Sequence, residues 1–229
     1  MKFSIIIPTL NEEKIIQSRL SALQKLKPEC EIIIADGGSH DNTLALAGLY
    51  ADKVVSSEPG RGIQMNNGAR HATGDVLLFL HADTVLPDNA LPLIKHALNS
   101  ARQWGRFDIC FSGRHFMFCV IAQMMNWRSA LTGIATGDQA IFVTNMAFNE
   151  AGKYPEIGLM EDIALCGALK KISPPACLKA KVISSSRRWE VNGIYQTILL
   201  MWGLRLRYFF GSDPESLAYL YDRGHIWRR

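Results

Sequence analysis

Residues 75–84 read DVLLFLHADT. Val76 to Leu80 are apolar without a break, and His81, Ala82, Asp83 and Thr84 follow at once. A short apolar run with no alternation predicts a strand covered on both faces, as in a parallel sheet. An imidazole and a carboxylate at its carboxyl end either close a turn or face a ligand.

Working outward, the first half of the chain alternates. FSIIIP (3–8), EIIIAD (31–36), KVVSS (53–57) and residues 75–81 read as strands. Between and after them, residues 12–25, 41–50, 62–72 and 89–102 have helical spacing or cap signals. Strands separated by helical segments predict βαβ crossovers and a parallel sheet. From about residue 105 the pattern loosens. Strands are expected at 106–112, 139–143 and 179–184, and helices at 115–131 and 160–171.

The 229 residues suffice for one large α/β domain, and 48% of them are apolar. The N-terminal MKFSIIIPTL has too short an apolar run for a signal peptide and no small-residue cleavage site, so a cytoplasmic chain is expected. The five cysteines form no CxxC and are read as free thiols, which excludes a structural zinc site. Basic and acidic side chains balance at 17 each over residues 1–180, whereas residues 181–229 carry 8 basic and 4 acidic. No basic run with interleaved stacking aromatics accompanies that excess, so nucleic acid is not the expected partner. Residues 194–210, IYQTILLMWGLRLRYFF, are too few, at 17 with two arginines, for a spanning helix of about 20 apolar residues. A helix packed on the domain or a second copy, or one lying at a membrane surface, is expected there.

In a parallel α/β sheet, ligands bind beyond the carboxyl ends of the strands. Those ends carry Thr9-Leu10-Asn11-Glu12, Asp36-Gly37-Gly38-Ser39, Glu58-Pro59-Gly60-Arg61 and His81-Ala82-Asp83-Thr84. One acid at such a place is an ordinary helix cap, but four successive strand ends carry one. Neither GxGxxG nor GxxxxGKS occurs after the first strand, which disfavours dinucleotide and P-loop folds. A phosphate-bearing ligand would then need a divalent cation, Mg²⁺ or Mn²⁺, to bridge it to Asp83.

The ordered blocks IIIPTLNEE (5–13), IIIADGGSHDNT (32–43), GRGIQMNNGA (60–69), LLFLHADT (77–84) and LMEDIALCGAL (159–169) resemble family two glycosyltransferases of the GT-A fold, over roughly residues 2–190. TGDQAIFV (136–143) and SSRRWEVNGIYQT (185–197) resemble a bacterial subgroup labelled arsenosugar-biosynthesis glycosyltransferases. The resemblance implies an α/β GT-A fold with a mostly parallel sheet, helices on both faces and a C-terminal helical segment. It implies a GT-A domain over 1–190, with a nucleotide-binding half (1–104) and an acceptor-side half (105–190). Residues 191–229 form a basic, apolar extension.

By the same resemblance, Pro8, Thr9 and Glu12 hold the nucleoside, Asp36 meets the base edge, and Arg61 approaches the base or phosphates. Asp83 matches the last acid of the metal-binding DxD. His81, with Ala82 on the nucleotide side, stands where the first acid belongs, and an imidazole cannot reproduce a carboxylate's bidentate contact. Glu161 and Asp162 match the catalytic ED pair, with Asp162 as general base. On chemical grounds alone, an acceptor hydroxyl needs a base to take its proton. Asp138 and Gln139 are candidate contacts to acceptor or donor sugar, or members of a turn. Arg188 and Trp189, in a distant relative of the QxxRW block, offer a phosphate fork and a stacking face.

The expected activity is inverting, metal-dependent transfer of a sugar from a UDP- or GDP-linked donor to an unidentified hydroxyl. A non-catalytic nucleotide-sugar-binding protein and a sugar nucleotidyltransferase are the alternatives. A site at the inner face of a membrane is the alternative to a freely soluble chain.

Overall fold

The computed structural model describes residues 1–98 and 101–223. The first half runs β1 (Phe3–Thr9), α1 (Glu13–Leu23), β2 (Cys30–Asp36), α2 (Thr43–Gly48), β3 (Lys53–Ser56), α3 (Arg61–Arg70), β4 (Val76–Phe79) and α4 (Ala90–Leu98). The helix expected at 89–102 is described over Ala90–Leu98, and positions 99 and 100 lie outside the described residues. Arg228 and Arg229 of the basic C-terminal excess also lie outside them.

The second half runs β5 (Trp104–Phe111), α5 (Phe116–Thr132), β6 (Phe142–Thr144), α6 (Asn145–Glu150), α7 (Glu161–Ile172), β7 (Ala176–Ser184), α8 (Arg187–Asn192), α9 (Ile194–Phe209) and α10 (Pro214–Arg223). The sequence signalled neither α6, α8 nor α10. The first two have only six residues each, too few for periodicity to register.

The seven strands form one sheet, in the order β3-β2-β1-β4-β6-β5-β7. β3, β2, β1 and β4 are mutually parallel, β6 runs antiparallel to both its neighbours, and β7 is parallel to β5. Alternate residues feed two cores. Ile5, Ile7, Ile32, Ile34 and Leu78 pack on one face, and Ile6, Ile33, Leu77 and Phe79 on the other. This two-sided burial explains why β1, β2 and β4 read as unbroken apolar runs. β3 departs from that expectation. It is an edge strand, its residues alternate between half-buried and exposed, and Val54 is 38% exposed.

Close packing of α3 fixes the first half. A Cβ on Gly68 would stand 2.5 Å from Ile6 Cγ2, so only glycine lets this helix lie so near β1. The strand expected at 139–143 begins later, because Gly137–Gln139 form a 3₁₀ turn closed by a Thr136–Gln139 capping box. The C-terminal helices are docked. Leu200 and Leu204 of α9 and Leu217 and Leu220 of α10 bury against Leu159 and Met160. Among the described residues no helix is long and apolar enough to cross a membrane.

Candidate active site

The candidate residues separate into two neighbouring groups. The first lies beyond the carboxyl ends of β1, β2 and β4. Thr9 pairs with Asp36 in the β1–β2 register, so the two strand ends are adjacent. Asp36 is fully buried and accepts from Thr9 Oγ1 (3.1 Å), Gly38 N (2.9 Å), Ser39 N (2.8 Å) and Ser39 Oγ (2.5 Å). A carboxylate has about four acceptor positions, and the chain itself fills them. Asp36 as it stands thus shapes the loop. Asn11 clasps the same loop, donating its N–H to Ser39 Oγ and accepting from His40 N.

Pro8 and Glu12 are half-buried beside this loop, and Ala82 is buried. Burial raises the Glu12 pKa, partly offset by Arg187, whose guanidinium is 3.7 Å away, and reinforced by the charge of Asp83. Glu12 and Asp83 therefore form an acidic pair faced by one arginine. The Arg187 contact was not foreseen, because α8 returns from far along the chain.

The second group surrounds a cavity of about 350 Å³ between α5, the start of α7, α8 and α9. Arg61, His81, Asp138, Glu161, Asp162, Arg188 and Trp189 all line it. Asp162 Oδ2 accepts from Gly137 N at 2.8 Å, while the buried Oδ1 has no hydrogen-bond partner. His81 Nδ1 stands 3.3 Å from Asp138 Oδ1, and its buried Nε2 is unpartnered as well. A Cβ on Gly137 would collide with His81 Nε2, so the glycine makes room for the imidazole. His81 thus faces the carboxylates of the second group and not a backbone carbonyl.

Burial and the neighbouring Asp162 raise Glu161 to about 7, and burial raises Asp162 too, with His81 and Arg61 opposing. Burial works against a charged His81, but Asp138 outweighs it, so the imidazole is raised and Asp138 is lowered. The pair enters from α7, whose preceding residue Met160 holds a left-handed φ of 73°. Such a backbone costs a non-glycine residue energy and recurs at functional sites.

Gln139 does not line the cavity and takes the turn role, one of the two readings the sequence left open. It is fully buried, and its amide donates to Ser129 Oγ (3.0 Å) and accepts from Thr136 N, so it ties its turn to α5. The sequence reading missed Tyr154, whose buried phenol is held protonated by burial and by nearby Asp162. It also missed Arg128 and Arg205 in the cavity wall. Arg188 stacks 3.5 Å over the Tyr221 ring and donates to Tyr221 O, while Trp189 meets Phe111 edge-on.

The sequence pattern of the family described as "Glycosyl transferase family 2" matches residues 4–146, more than half of the chain. The chain belongs to glycosyl transferase family 2. A "PGL/p-HBAD biosynthesis glycosyltransferase" of Mycobacterium tuberculosis is 37% identical over 92 residues, 37% of this chain and 36% of that protein. TarS, a "Poly(ribitol-phosphate) beta-N-acetylglucosaminyltransferase" of Staphylococcus aureus, is 33% identical over 101 residues, 40% of this chain and 18% of that protein. The family 2 chain thus matches about a third or less of the length of these curated relatives. In three dimensions it superposes on TarS residues 1–349 in complex with UDP-GlcNAc with a TM-score of 0.67 and 22% identity, over 81% of this chain and 58% of that one. The mannosyltransferase PcManGT of Pyrobaculum calidifontis, in complex with GDP-Man and Mn²⁺, also gives 0.67, at 15% identity over 98% of this chain and 70% of that one. These likenesses establish the GT-A fold.

Among the described residues no three His, Cys, Asp or Glu gather into a cation cage. Asp83 is half-buried, and its one hydrogen bond is a 3.5 Å contact from Thr84 Oγ1. A carboxylate with open acceptor positions fits Mg²⁺ or Mn²⁺, which take their remaining ligands from diphosphate and water.

Proposed function

We propose that this chain moves a sugar from a nucleotide sugar to an acceptor hydroxyl, inverting the anomeric carbon in one displacement. The observation that carries this reading is Asp162, a buried carboxylate in the cavity lining, with Oδ2 fixed by Gly137 N, Oδ1 making no hydrogen bond of ordinary length, and the Tyr154 phenol beside it. An acceptor O–H directed at Oδ1 would satisfy that atom and lose its proton there. The new C–O bond forms as the bond to the donor phosphate breaks, and the nucleoside diphosphate leaves. One base suffices for such a step.

Asp83, with Glu12 beside it, would hold Mn²⁺ or Mg²⁺ together with the donor diphosphate, and the bound cation would neutralise charge growing on the leaving group. Arg61 and Arg188 supply fixed positive charge near Asp138. Glu161 modulates the proton affinity of Asp162. The loop built on Thr9 and Asp36, next to Pro8 and Ala82, would receive the nucleoside. Donors bound by fold neighbours, UDP-GlcNAc and GDP-Man, support a nucleotide sugar without fixing its base. The blocks at 136–143 and 185–197 support the narrower subgroup placement. Residues 1–190 would form the transferase domain, with the C-terminal helices closing the cavity from outside, at the cytoplasmic side of the cell.

The test is nucleoside diphosphate release from a panel of UDP- and GDP-sugars, with and without Mn²⁺. Turnover that survives intact in Asp162→Asn would remove the assigned base.

A further inference from the structure

The cavity wall is unlike a sugar site. On α5, Met117, Ile121, Met124 and Arg128 lie at helical spacing along one face and line the cavity. On α9, Ile198, Met201 and Arg205 repeat the arrangement. Each helix thus presents an apolar stripe that ends in an arginine. Methionine and isoleucine offer a sugar no hydrogen bonds, whereas an alkyl chain gains from every methylene buried among them.

Among the described residues both arginines keep open donors. Arg128 Nε and Nη2 are buried without a hydrogen bond, as is Arg205 Nε. Burial and the nearby Arg106 lower the Arg128 pKa, with only the Cys166 thiol opposing. A half-buried guanidinium with open donors and no carboxylate beside it fits an anionic group of a ligand. The apolar surface also continues past the mouth. Val120, Met124 and Trp202 both line the cavity and stand exposed, and Trp127 and Leu131 of α5 and Leu199 and Phe209 of α9 are exposed around them. Bulky aromatic and aliphatic side chains near arginines suit a lipid interface.

We propose that the acceptor is an anionic lipid with a free hydroxyl, drawn from a membrane surface. Its hydroxyl meets Asp162 Oδ1, its acid group lies against Arg128, and its alkyl chain follows the methionine wall out over the exposed apolar rim. This rests on Asp162 being the base, but the following test needs no turnover.

Calorimetric titration would use decyl phosphoglycerol, ethyl phosphoglycerol and decyl glycerol ether, each below its micelle concentration. The decyl phosphoglycerol should bind at least about tenfold more tightly than either of the others. Met124→Glu should abolish the preference for the long chain, and Arg128→Gln the preference for the charged head. Both variants should keep the thermal shift produced by nucleoside diphosphate with Mn²⁺, which shows that they fold. Phosphatidylcholine vesicles containing phosphatidylglycerol should sediment the protein, and pure phosphatidylcholine vesicles should do so far less. Equal binding of ethyl and decyl esters, or equal recovery in the supernatant with both vesicles, overturns the proposal. Absence of sugar transfer would instead count against the transferase reading and leave the binding result standing.

Discussion

At the scale of single residues, the site depends on how few partners the buried carboxylates have. Glu161 is 3% exposed and holds its proton to about 7, against an ordinary 4.5. The folded state therefore keeps a proton that the unfolded chain has lost. Stability attributable to this group is complete below pH 4.5 and declines as the pH rises to about 7. Glu161→Gln should flatten that decline and raise the melting temperature at pH 8 relative to the parent, as thermal melts across the range would show. With Asp162 as the proposed base, kcat/KM should climb with pH over the range in which the Glu161–Asp162 pair loses its proton. Candidates next to one another in sequence, such as Glu161 and Asp162, were legible from their motif. The engagement of His81 with Asp138 was not, since it joins residues 57 positions apart that no local pattern connects.

Among the elements, the strands of the first half were readable because burial on both faces writes itself as an apolar run. β6 was harder. Its three residues pair with β4 on one side and meet β5 only at Trp104 and Gly105 on the other. Beyond that point β5 needs another partner, and Asn126 of α5 provides it. Asn126 Oδ1 accepts from Ile109 N (2.8 Å), and Nδ2 donates to Ile109 O (3.1 Å). Asn126→Ala should cost about 2 kcal/mol by leaving these buried groups unpaired, measured by denaturant unfolding. Gly68→Ala should cost about 1–3 kcal/mol through the overlap of its methyl group with Ile6, with a lower midpoint and an unchanged slope in the same measurement. The short helices α6 and α8 left no periodic signal, and α10 had to be placed by packing, through Leu217 and Leu220 against Leu159 and Met160.

Over the whole molecule, the group beyond β1, β2 and β4 is assembled from strand ends of the first half, so its residues follow in sequence order. The cavity side gathers α5, α7, α8, α9 and α10 from across the second half. That difference explains why the family motifs were visible while the methionine wall was not, although Met117, Met124 and Met125 already sat at helical spacing. It also explains why the two readings of Gln139 stayed open: it is a turn residue next in sequence to Asp138, but its side chain points into the core. The central claim is that donor and acceptor meet where these halves join, with Asp83 on one side and Asp162 on the other. The most direct measurement is Mn²⁺-dependent release of nucleoside diphosphate from the donor panel by the parent chain, Asp83→Ala and Asp162→Asn. Turnover should fall by a factor of about 10²–10⁴ in Asp162→Asn, with nucleotide binding retained, and Asp83→Ala should lose the response to Mn²⁺. Full turnover in both variants would contradict it.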